Sequence, residues 1–291
     1  MYITNDIKIC VIGGDNRMLA AIRSLCKKGF RVYVFGITGD VGCAEICNDI
    51  KKAVYNSQAI ILPLPCSTDG IRVFSPLYSE PIKLEELVQL ITKEKYVIGG
   101  KMPERFTKSL DDKGCKTYDY YTSERLTVLN AVPTAEGAVA IAVNETKKTV
   151  FGSKCAVCGY GRIGKLLSKM LKDLGADVTV FARSEEALTW AEVYGYNAVP
   201  LKEAHDHIVD TDIIFNTVPA TVIDKKMLEH TKKDVLIIDL ASSPGGVDVE
   251  FAKNNNRRLI FAGSLPGKVA PDTAGGIIAD CVISKLKGSS I

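Results

Sequence analysis

A glycine-rich turn near mid-chain is the feature that most constrains how this chain can fold. The apolar run Cys155–Cys158 leads into GYGRIG, and apolar residues then recur at helical spacing. Strand, glycine turn and helix, in this order, are the context that the GxGxxG dinucleotide fingerprint requires. In that motif the first glycine permits a tight turn, the second admits a pyrophosphate, and the third lets the helix pack on the strand. We therefore predict dinucleotide binding, with the phosphates at the helix N-terminus, by Gly159, Gly161, Arg162, Ile163 and Gly164.

The end of the next strand indicates which dinucleotide is bound. Ala176–Phe181 reads as that strand, and it is followed by Ala182, Arg183 and Ser184. NAD sites usually place an acid here to accept from the ribose 2′-hydroxyl, whereas NADP sites place an arginine. Arg183 and Ser184 can both donate to a 2′-phosphate, which favours NADP. The alternative is that Arg183 is an ordinary surface residue at the start of a helix.

A second glycine turn near the N-terminus indicates a second domain of the same class. The apolar run Ile7–Ile12 leads into Gly13, Gly14 and Asp15, and a helix and the strand Arg31–Phe35 follow. Two strand–turn–helix openings in 291 residues predict an α/β chain of two doubly wound, parallel-sheet, Rossmann-like domains with an inter-domain cleft. This first turn is degenerate, but an anion at its helix N-terminus is an open alternative.

The pattern of apolar runs places the domain boundaries. We expect a substrate domain over residues 1–130, an NADP-binding domain over 131–271, and a C-terminal helix over 272–291 that packs back on the first domain. Pro133 suits the first position of a helix, and the stretch Gly263–Pro271 reads as a loop. The chain contains further strand-like runs at Ala59–Leu62, Tyr96–Ile98, Lys116–Tyr118, Ala198–Val199, Asp212–Phe215, Val235–Leu240 and Leu259–Phe261.

Composition and charge are those of an ordinary soluble protein. The chain is 46% hydrophobic and 24% charged, with a formal net charge of +3 and no dense basic run, so nothing indicates nucleic-acid binding. No apolar stretch reads as a membrane span and Met1–Lys8 does not resemble a signal peptide, so we expect a cytoplasmic protein. The nine cysteines are expected to be reduced and packed, including Cys155 and Cys158.

Candidate substrate-binding residues lie at the carboxyl ends of the first domain's strands. Ligands in open α/β sheets bind at such ends, which points to Arg17, Ser67 and Thr68. The alternative for Ser67–Gly70 is simple turn chemistry. Thr134 and Glu136 lie where the chain passes from one domain to the other, so Thr134 is a further substrate-binding candidate and Glu136 a proton acceptor. Glu136 could instead be a first-turn acid that favours the helix dipole.

Two segments that follow strands of the second domain are expected along the nicotinamide side of the cofactor. Thr217, Val218 and Pro219 follow one strand, and Leu240 and Ala241 end the next. Ser242 comes directly after them and is a catalytic candidate. The three histidines, His205, His207 and His230, fall in surface stretches, and none follows the last strand, where a hydroxy-acid dehydrogenase would place its general acid. No spacing suggests a metal site.

Taken together, these motifs resemble the dipicolinate synthase A subunits of spore-forming bacteria. The resemblance spans nearly the whole chain in order, and the last two motifs are the most specific. Ser243 departs from it, because the family often has arginine there. The matching segments are IGGDNR at Ile12–Arg17, ILPLPCST at Ile61–Thr68, NAVPTAEG at Asn130–Gly137, GYGRIG at Gly159–Gly164, ARS at Ala182–Ser184, NTVPA at Asn216–Ala220, DLASSPGGVD at Asp239–Asp248 and LPGKVAPDTAGGIIA at Leu265–Ala279.

The resemblance implies an NADP-dependent oxidation during sporulation. In this family 4-hydroxy-tetrahydrodipicolinate, a branch-point compound of lysine synthesis, loses water and two electrons to give pyridine-2,6-dicarboxylate. It also implies that the partner is a second, flavoprotein-like B subunit, and homo-oligomers are compatible with it. Two alternatives remain open: another two-domain NADP-dependent dehydrogenase of the hydroxy-acid or amino-acid type, and a non-catalytic nucleotide-binding regulatory subunit.

Overall fold

The computed structural model describes residues 7–288, and these residues form two compact units. The first unit comprises the described residues up to Asn130 together with those from Ala270 onward, and the second comprises Ala131–Val269. Each unit is built around one six-stranded sheet with helices alternating along the chain. The predicted fold class of two Rossmann-like domains is thereby confirmed.

The sheet of the first unit has the doubly wound strand order β3-β2-β1-β4-β5-β6. All its strand pairs are parallel, and β1, β4 and β5 are apolar and almost wholly buried, as expected when helices cover both faces. The strands are β1 Lys8–Ile12, β2 Arg31–Phe35, β3 Glu45–Ile46, β4 Ala59–Ile61, β5 Tyr96–Gly99 and β6 Lys116–Asp119.

The sheet of the second unit has the equivalent order β12-β11-β10-β7-β8-β9. Its pairs are also parallel, with the carboxyl-terminal Asn216 of β10 in register with Asp239 of β11. The strands are β7 Lys154–Cys158, β8 Asp177–Ala182, β9 Asn197–Pro200, β10 Ile213–Asn216, β11 Leu236–Asp239 and β12 Arg258–Phe261.

Twelve α-helices of the described residues connect and cover these strands. They are α1 Asn16–Lys27, α2 Ile50–Tyr55, α3 Leu84–Leu90, α4 Glu104–Asp111, α5 Glu124–Glu145, α6 Arg162–Asp173, α7 Glu185–Val193, α8 Ala204–His207, α9 Lys225–His230, α10 Val249–Asn254, α11 Leu265–Val269 and α12 Pro271–Gly288.

The C-terminal helix α12 belongs to the first unit because it packs on α1. The approach is close: a Cβ at Gly275 would lie 2.3 Å from the carbonyl oxygen of Arg17 and 2.6 Å from Cβ of Ala20. Buried residues of α12 such as Ile278 and Val282 join the same apolar core as β1. Glycine at position 275 therefore lets the two helices meet.

Two local predictions are wrong. Pro133 does not begin a helix but lies inside the 22-residue α5. Proline in a helix interior removes one backbone hydrogen bond and clashes with the carbonyl four residues earlier. Here the buried alanines on both sides of it, Ala131 and Ala135, provide packing that offsets this cost. The stretch Gly263–Pro271 is also not only a loop, since α11 occupies its middle, with Leu265 buried and close to Gly137 of α5.

Of the described residues, helix α5 is long and apolar enough, by length and composition alone, to cross a membrane. The core helices of soluble proteins have the same length and composition. Ala135, Ala138 and Ala142 of this helix are fully buried and belong to the apolar core of the second unit. The helix is accordingly a core element in this structure.

Candidate functional site

The glycine turn between β7 and α6 has the geometry that its three glycines predict. Gly159 has φ +95°, which favours glycine, and a Cβ there would lie 2.4 Å from Oγ1 of Thr217. A Cβ at Gly164 would lie 2.1 Å from the carbonyl oxygen of Gly159. At Gly161, by contrast, an added Cβ would meet nothing within 4 Å. The turn is therefore tight at Gly159, closely packed at Gly164 and open at Gly161.

The open side of this turn lies at the N-terminus of α6. The N-cap residue is Gly161, so no side chain caps the first backbone N–H groups of this 12-residue helix. Such N–H groups, together with the partial positive charge of the helix end, bind phosphate. Gly161 and Arg162 are exposed and Ile163 is half-buried. These residues fit the pyrophosphate of a dinucleotide.

The corresponding turn of the first unit is closed. Asp15 is the N-cap of α1 and its side chain accepts from the backbone N–H of Arg17. The N–H of Gly14 donates to the carbonyl oxygen of Phe74 at 2.8 Å, and a Cβ at Gly13 would lie 2.9 Å from Val73. A carboxylate of the chain therefore already occupies one of the N–H groups that an anion at this turn would use.

Arg17 is buried rather than displayed on the surface. It is 5% exposed, its Nε and Nη2 donate to the Asp15 carboxylate at 2.8–3.1 Å, and Nη2 also donates to the carbonyl oxygen of Leu64 at 2.5 Å. These bonds tie the start of α1 to the loop after β4. Nη1 makes no hydrogen bond with a described residue. It is not a fully buried atom either, because the fully buried polar side-chain atoms without a partner in residues 7–288 do not include it.

Ser67 and Thr68 lie in that same loop. The hydroxyl of Ser67 donates to Oδ1 of Asp69 at 3.1 Å and accepts from the N–H of Gly70 at 2.9 Å, which is the turn chemistry that the sequence left as the alternative. Asp69 also accepts from two backbone N–H groups and from Nε of Arg72. These bonds hold the pKa of the Asp69 carboxyl well below its usual range. Thr68 is exposed.

Arg183 and Ser184 follow β8, as predicted. Arg183 is exposed and makes no ion pair or hydrogen bond with a residue in the 7–288 range. Ser184 is the N-cap of α7, and its hydroxyl oxygen accepts from the N–H of Ala187 at 3.3 Å. A capping hydroxyl still has its own proton to donate.

Two buried polar residues that were not among the candidate site residues join the ends of β10 and β11. Nδ2 of Asn216 donates to Oδ1 of Asp239 at 2.8 Å, and the two residues are 0% and 1% exposed. The signal was present, because each is the polar residue that ends an apolar strand run. The segments that follow them carry Thr217, Val218 and Pro219 on one side and Leu240, Ala241 and Ser242 on the other.

Thr134 and Glu136 both lie within α5. Thr134 is buried, whereas Glu136 is exposed. Because the helix begins at Glu124, Glu136 is not a first-turn acid, and that alternative interpretation is wrong. Ser242 is also exposed, and its carbonyl oxygen accepts from the N–H of Gly245 at 2.9 Å.

The cysteines and histidines do not form a second site. Cys155 and Cys158 belong to the two different apolar cores on either face of their sheet, and burial raises the pKa of each thiol to about 12. His205 and His230 touch edge to face with ring centroids 5.7 Å apart. Within residues 7–288 there is no group of three or more potential metal ligands.

Comparisons with known proteins agree with this division into units. Residues 8–121 match the family model for the N-terminal domain of the dipicolinate synthase A subunit. Residues 134–247 match the family described as D-isomer specific 2-hydroxyacid dehydrogenase, NAD binding domain. The second match identifies a nicotinamide dinucleotide as the type of cofactor that this unit binds.

Similar proteins cover nearly the whole chain. The dipicolinate synthase A subunit of Bacillus subtilis (strain 168) is 33% identical over 286 residues, 96% of this chain and 95% of that protein. The crystal structure of the dipicolinate synthase A subunit from Bacillus halodurans has a TM-score of 0.87 at 29% identity, covering 97% of this chain and 98% of that one. A transhydrogenase from Sinorhizobium meliloti shares the fold alone, with a TM-score of 0.69 at 15% identity, 96% of this chain and 93% of that one.

Proposed function

The chain belongs to the family of dipicolinate synthase A subunits, and on that premise we propose that it oxidises 4-hydroxy-tetrahydrodipicolinate to pyridine-2,6-dicarboxylate with NADP⁺ as acceptor. In this reaction the substrate loses water to give a dihydropyridine. That ring then loses a hydride to NADP⁺ and a proton to a base, which yields the aromatic dicarboxylate and NADPH. Aromaticity of the product favours hydride departure.

The observation that carries the proposal is the turn at Gly159–Gly164. It combines an uncapped helix N-terminus with a backbone that is open at Gly161 and closely packed at Gly164, as a pyrophosphate site requires. The cofactor, when bound, supplies the hydride acceptor. The protein contributes orientation, through the turn and through Thr217, Val218, Pro219, Leu240 and Ala241.

The preference for NADP rests on Arg183 and Ser184. Arg183 is exposed at the tip of β8, where a guanidinium can pair with the 2′-phosphate. The tip carries no acidic residue that would accept from the 2′-hydroxyl of NAD. Ser184 can donate its hydroxyl proton to the same phosphate while its oxygen caps α7.

The dicarboxylate substrate requires cations and hydroxyl donors. We assign one carboxylate to Nη1 of Arg17, whose Nε and Nη2 are held by Asp15, with Thr68 as a further donor. Ser67 joins them only by turning its hydroxyl away from Asp69, to which it donates in this structure, and Thr134 is proposed to lie near the nicotinamide. Pre-orienting the guanidinium on Asp15 reduces the side-chain entropy lost on binding. Glu136 is the proposed proton acceptor because its carboxylate is exposed, and Ser242 is the proposed hydroxyl that orients the reacting ring.

We propose further that the chain works in the cytoplasm of the mother cell with a flavoprotein-like B subunit. The relative from Bacillus subtilis is named as one subunit of a synthase, which supports a partner chain. The match of residues 134–247 to a 2-hydroxyacid dehydrogenase domain supports one rival, a dehydrogenase acting on a hydroxy acid. Against it, His205, His207 and His230 lie on α8 and α9, and none follows β12.

The test is an assay of the purified chain, with and without the B chain, on enzymatically generated 4-hydroxy-tetrahydrodipicolinate and NADP⁺. We expect equimolar NADPH and pyridine-2,6-dicarboxylate, and no turnover of 2-hydroxy acids or amino acids. Turnover of those acids instead would support the rival dehydrogenase. A chain that binds NADPH but transfers no hydride under any of these conditions would be a regulatory subunit.

A further inference from the structure

The carboxylate of Asp239 is buried without a cationic partner. Asp239 ends β11, is 1% exposed and forms no ion pair with any lysine, arginine or histidine of the described chain. It is satisfied by three neutral donors. Oδ1 accepts from Nδ2 of Asn216 at 2.8 Å and from the N–H of Ala241 at 3.1 Å, and Oδ2 accepts from the N–H of Gly246 at 2.9 Å. Such a group is retained against a substantial desolvation cost.

Asn216 carries the connection to the neighbouring strand. It ends β10 and is fully buried. Its Oδ1 accepts from the N–H of Val218 at 3.1 Å, and its Nδ2 donates to the carbonyl oxygen of Val218 at 3.0 Å as well as to Asp239. One side-chain amide thus fixes the loop after β10 and joins it to the end of β11.

Two glycines allow the loop after β11 to close over this pair. A Cβ at Gly246 would lie 2.1 Å from Nδ2 of Asn216, and a Cβ at Gly245, where φ is +93°, would lie 2.9 Å from Oδ2 of Asp239. The loop 240–247 therefore passes so close to the carboxylate that only glycine fits at positions 245 and 246. Both loops are fixed by the same pair of side chains.

Resting on the proposed function, we propose that Asp239 is a positioning residue for the nicotinamide half of the cofactor. Through Asn216 and Gly246 it holds both loops that carry the expected nicotinamide-side residues. It does not act on the adenosine half, which is assigned to the turn at Gly161 and to Arg183. Loss of the carboxylate should therefore affect the two halves of the cofactor differently.

The test compares Asp239→Asn with wild type by calorimetric titration of NADPH and of adenosine 2′,5′-bisphosphate, which lacks the nicotinamide half. The asparagine side chain has the same size, but its NH₂ group replaces a carboxylate oxygen that accepts a hydrogen bond, so two donors then face each other. We expect the Kd of NADPH to rise at least tenfold and that of the bisphosphate to change less than twofold. Asp234→Asn, an exposed change at the opposite end of β11, should alter neither.

Asn216→Ala breaks the same connection from the other side and should give the same split between the two ligands. The proposal is overturned if either folded variant binds NADPH within twofold of wild type or loses both ligands equally. Failure of both variants to fold would show that the pair serves stability and would also overturn it. Failure of wild type to bind NADPH would instead contradict the proposed function.

Discussion

Gly164 lies so close to the carbonyl oxygen of Gly159 that a Cβ at residue 164 would come within 2.1 Å of it. Gly161, three residues earlier, has no such neighbour within 4 Å. The two glycines of one motif therefore have separable roles. Gly164 is required by the packing of α6 on the turn, whereas the space above Gly161 is available to a ligand.

Substitution of these two glycines by alanine should separate folding from binding. Gly161→Ala should leave the free energy of unfolding within about 0.5 kcal/mol of wild type but raise the Kd of NADPH at least tenfold. Gly164→Ala should destabilise the protein by about 1–3 kcal/mol, because backbone must move. Urea unfolding and NADPH titration measure both. Unchanged NADPH binding by Gly161→Ala would show that no phosphate lies there.

Replacing Arg183 tests which dinucleotide the site prefers. Arg183→Ala removes an exposed guanidinium from the tip of β8 and should raise the Kd of NADPH about tenfold while that of NADH changes less than twofold. A tenfold effect corresponds to about 1.4 kcal/mol. Arg162→Ala, at the turn itself, is the comparison, since it should affect both cofactors alike. Equal losses for NADPH and NADH in Arg183→Ala would assign the residue to something other than the 2′-phosphate.

Arg17 should matter for both stability and substrate binding. Arg17→Ala leaves the partly exposed Asp15 carboxylate without its guanidinium and should cost about 1.5–3 kcal/mol of stability, as for lost hydrogen bonds to a charged group. Arg17→Lys retains one charge but loses the two-atom contact. In this variant we expect kcat/KM for the dicarboxylate substrate to fall more than tenfold with NADPH binding unchanged. A normal kcat/KM in folded Arg17→Lys would remove Arg17 from the substrate site.

Asp212 should make stability depend on pH. Burial alone would raise the pKa of its carboxyl, but bonds from the N–H of Lys154 and from Nζ of Lys232 and Lys148 outweigh it, so the pKa lies below the ordinary value. A lowered folded-state pKa stabilises the protein above the unfolded-state pKa, about 4, and this contribution disappears as pH falls through the folded-state value.

Asp212→Asn should therefore destabilise the protein by about 1.5–3 kcal/mol near pH 7 and approach wild type as the pH is lowered below about 4. Urea unfolding across this range measures the difference. Asp210→Asn is the matched control, because its ion pair with Lys154 is largely exposed and contributes little. A difference between Asp212→Asn and wild type that does not shrink on acidification would contradict this account.

The sequence predicted most strands of both sheets to within two residues, because strands buried on both faces of a parallel sheet are continuous apolar runs. It did not predict β3, a pair of exposed residues, Glu45 and Ile46. It also placed a helix start at Pro133, where the local preference of proline for a first turn was overridden by packing of the surrounding alanines.

The candidate site was predictable in part for a similar reason. The glycine turn is local in sequence, so the roles of its glycines could be assigned from spacing. The contact between Asn216 and Asp239 joins residues 23 positions apart that meet only because β10 and β11 are neighbours in the sheet. Likewise, burial of Arg17 against Asp15 depends on the loop after β4, which no spacing rule specifies.

The most direct test of the central claim, that the turn at Gly159–Gly164 binds the phosphorylated nicotinamide dinucleotide, is titration of the purified wild-type chain with NADPH and NADH. The account predicts saturable binding of NADPH at one site per chain, at least tenfold tighter than binding of NADH. Absence of binding by either cofactor would contradict the claim itself, and equal affinity for the two would contradict the assignment of Arg183.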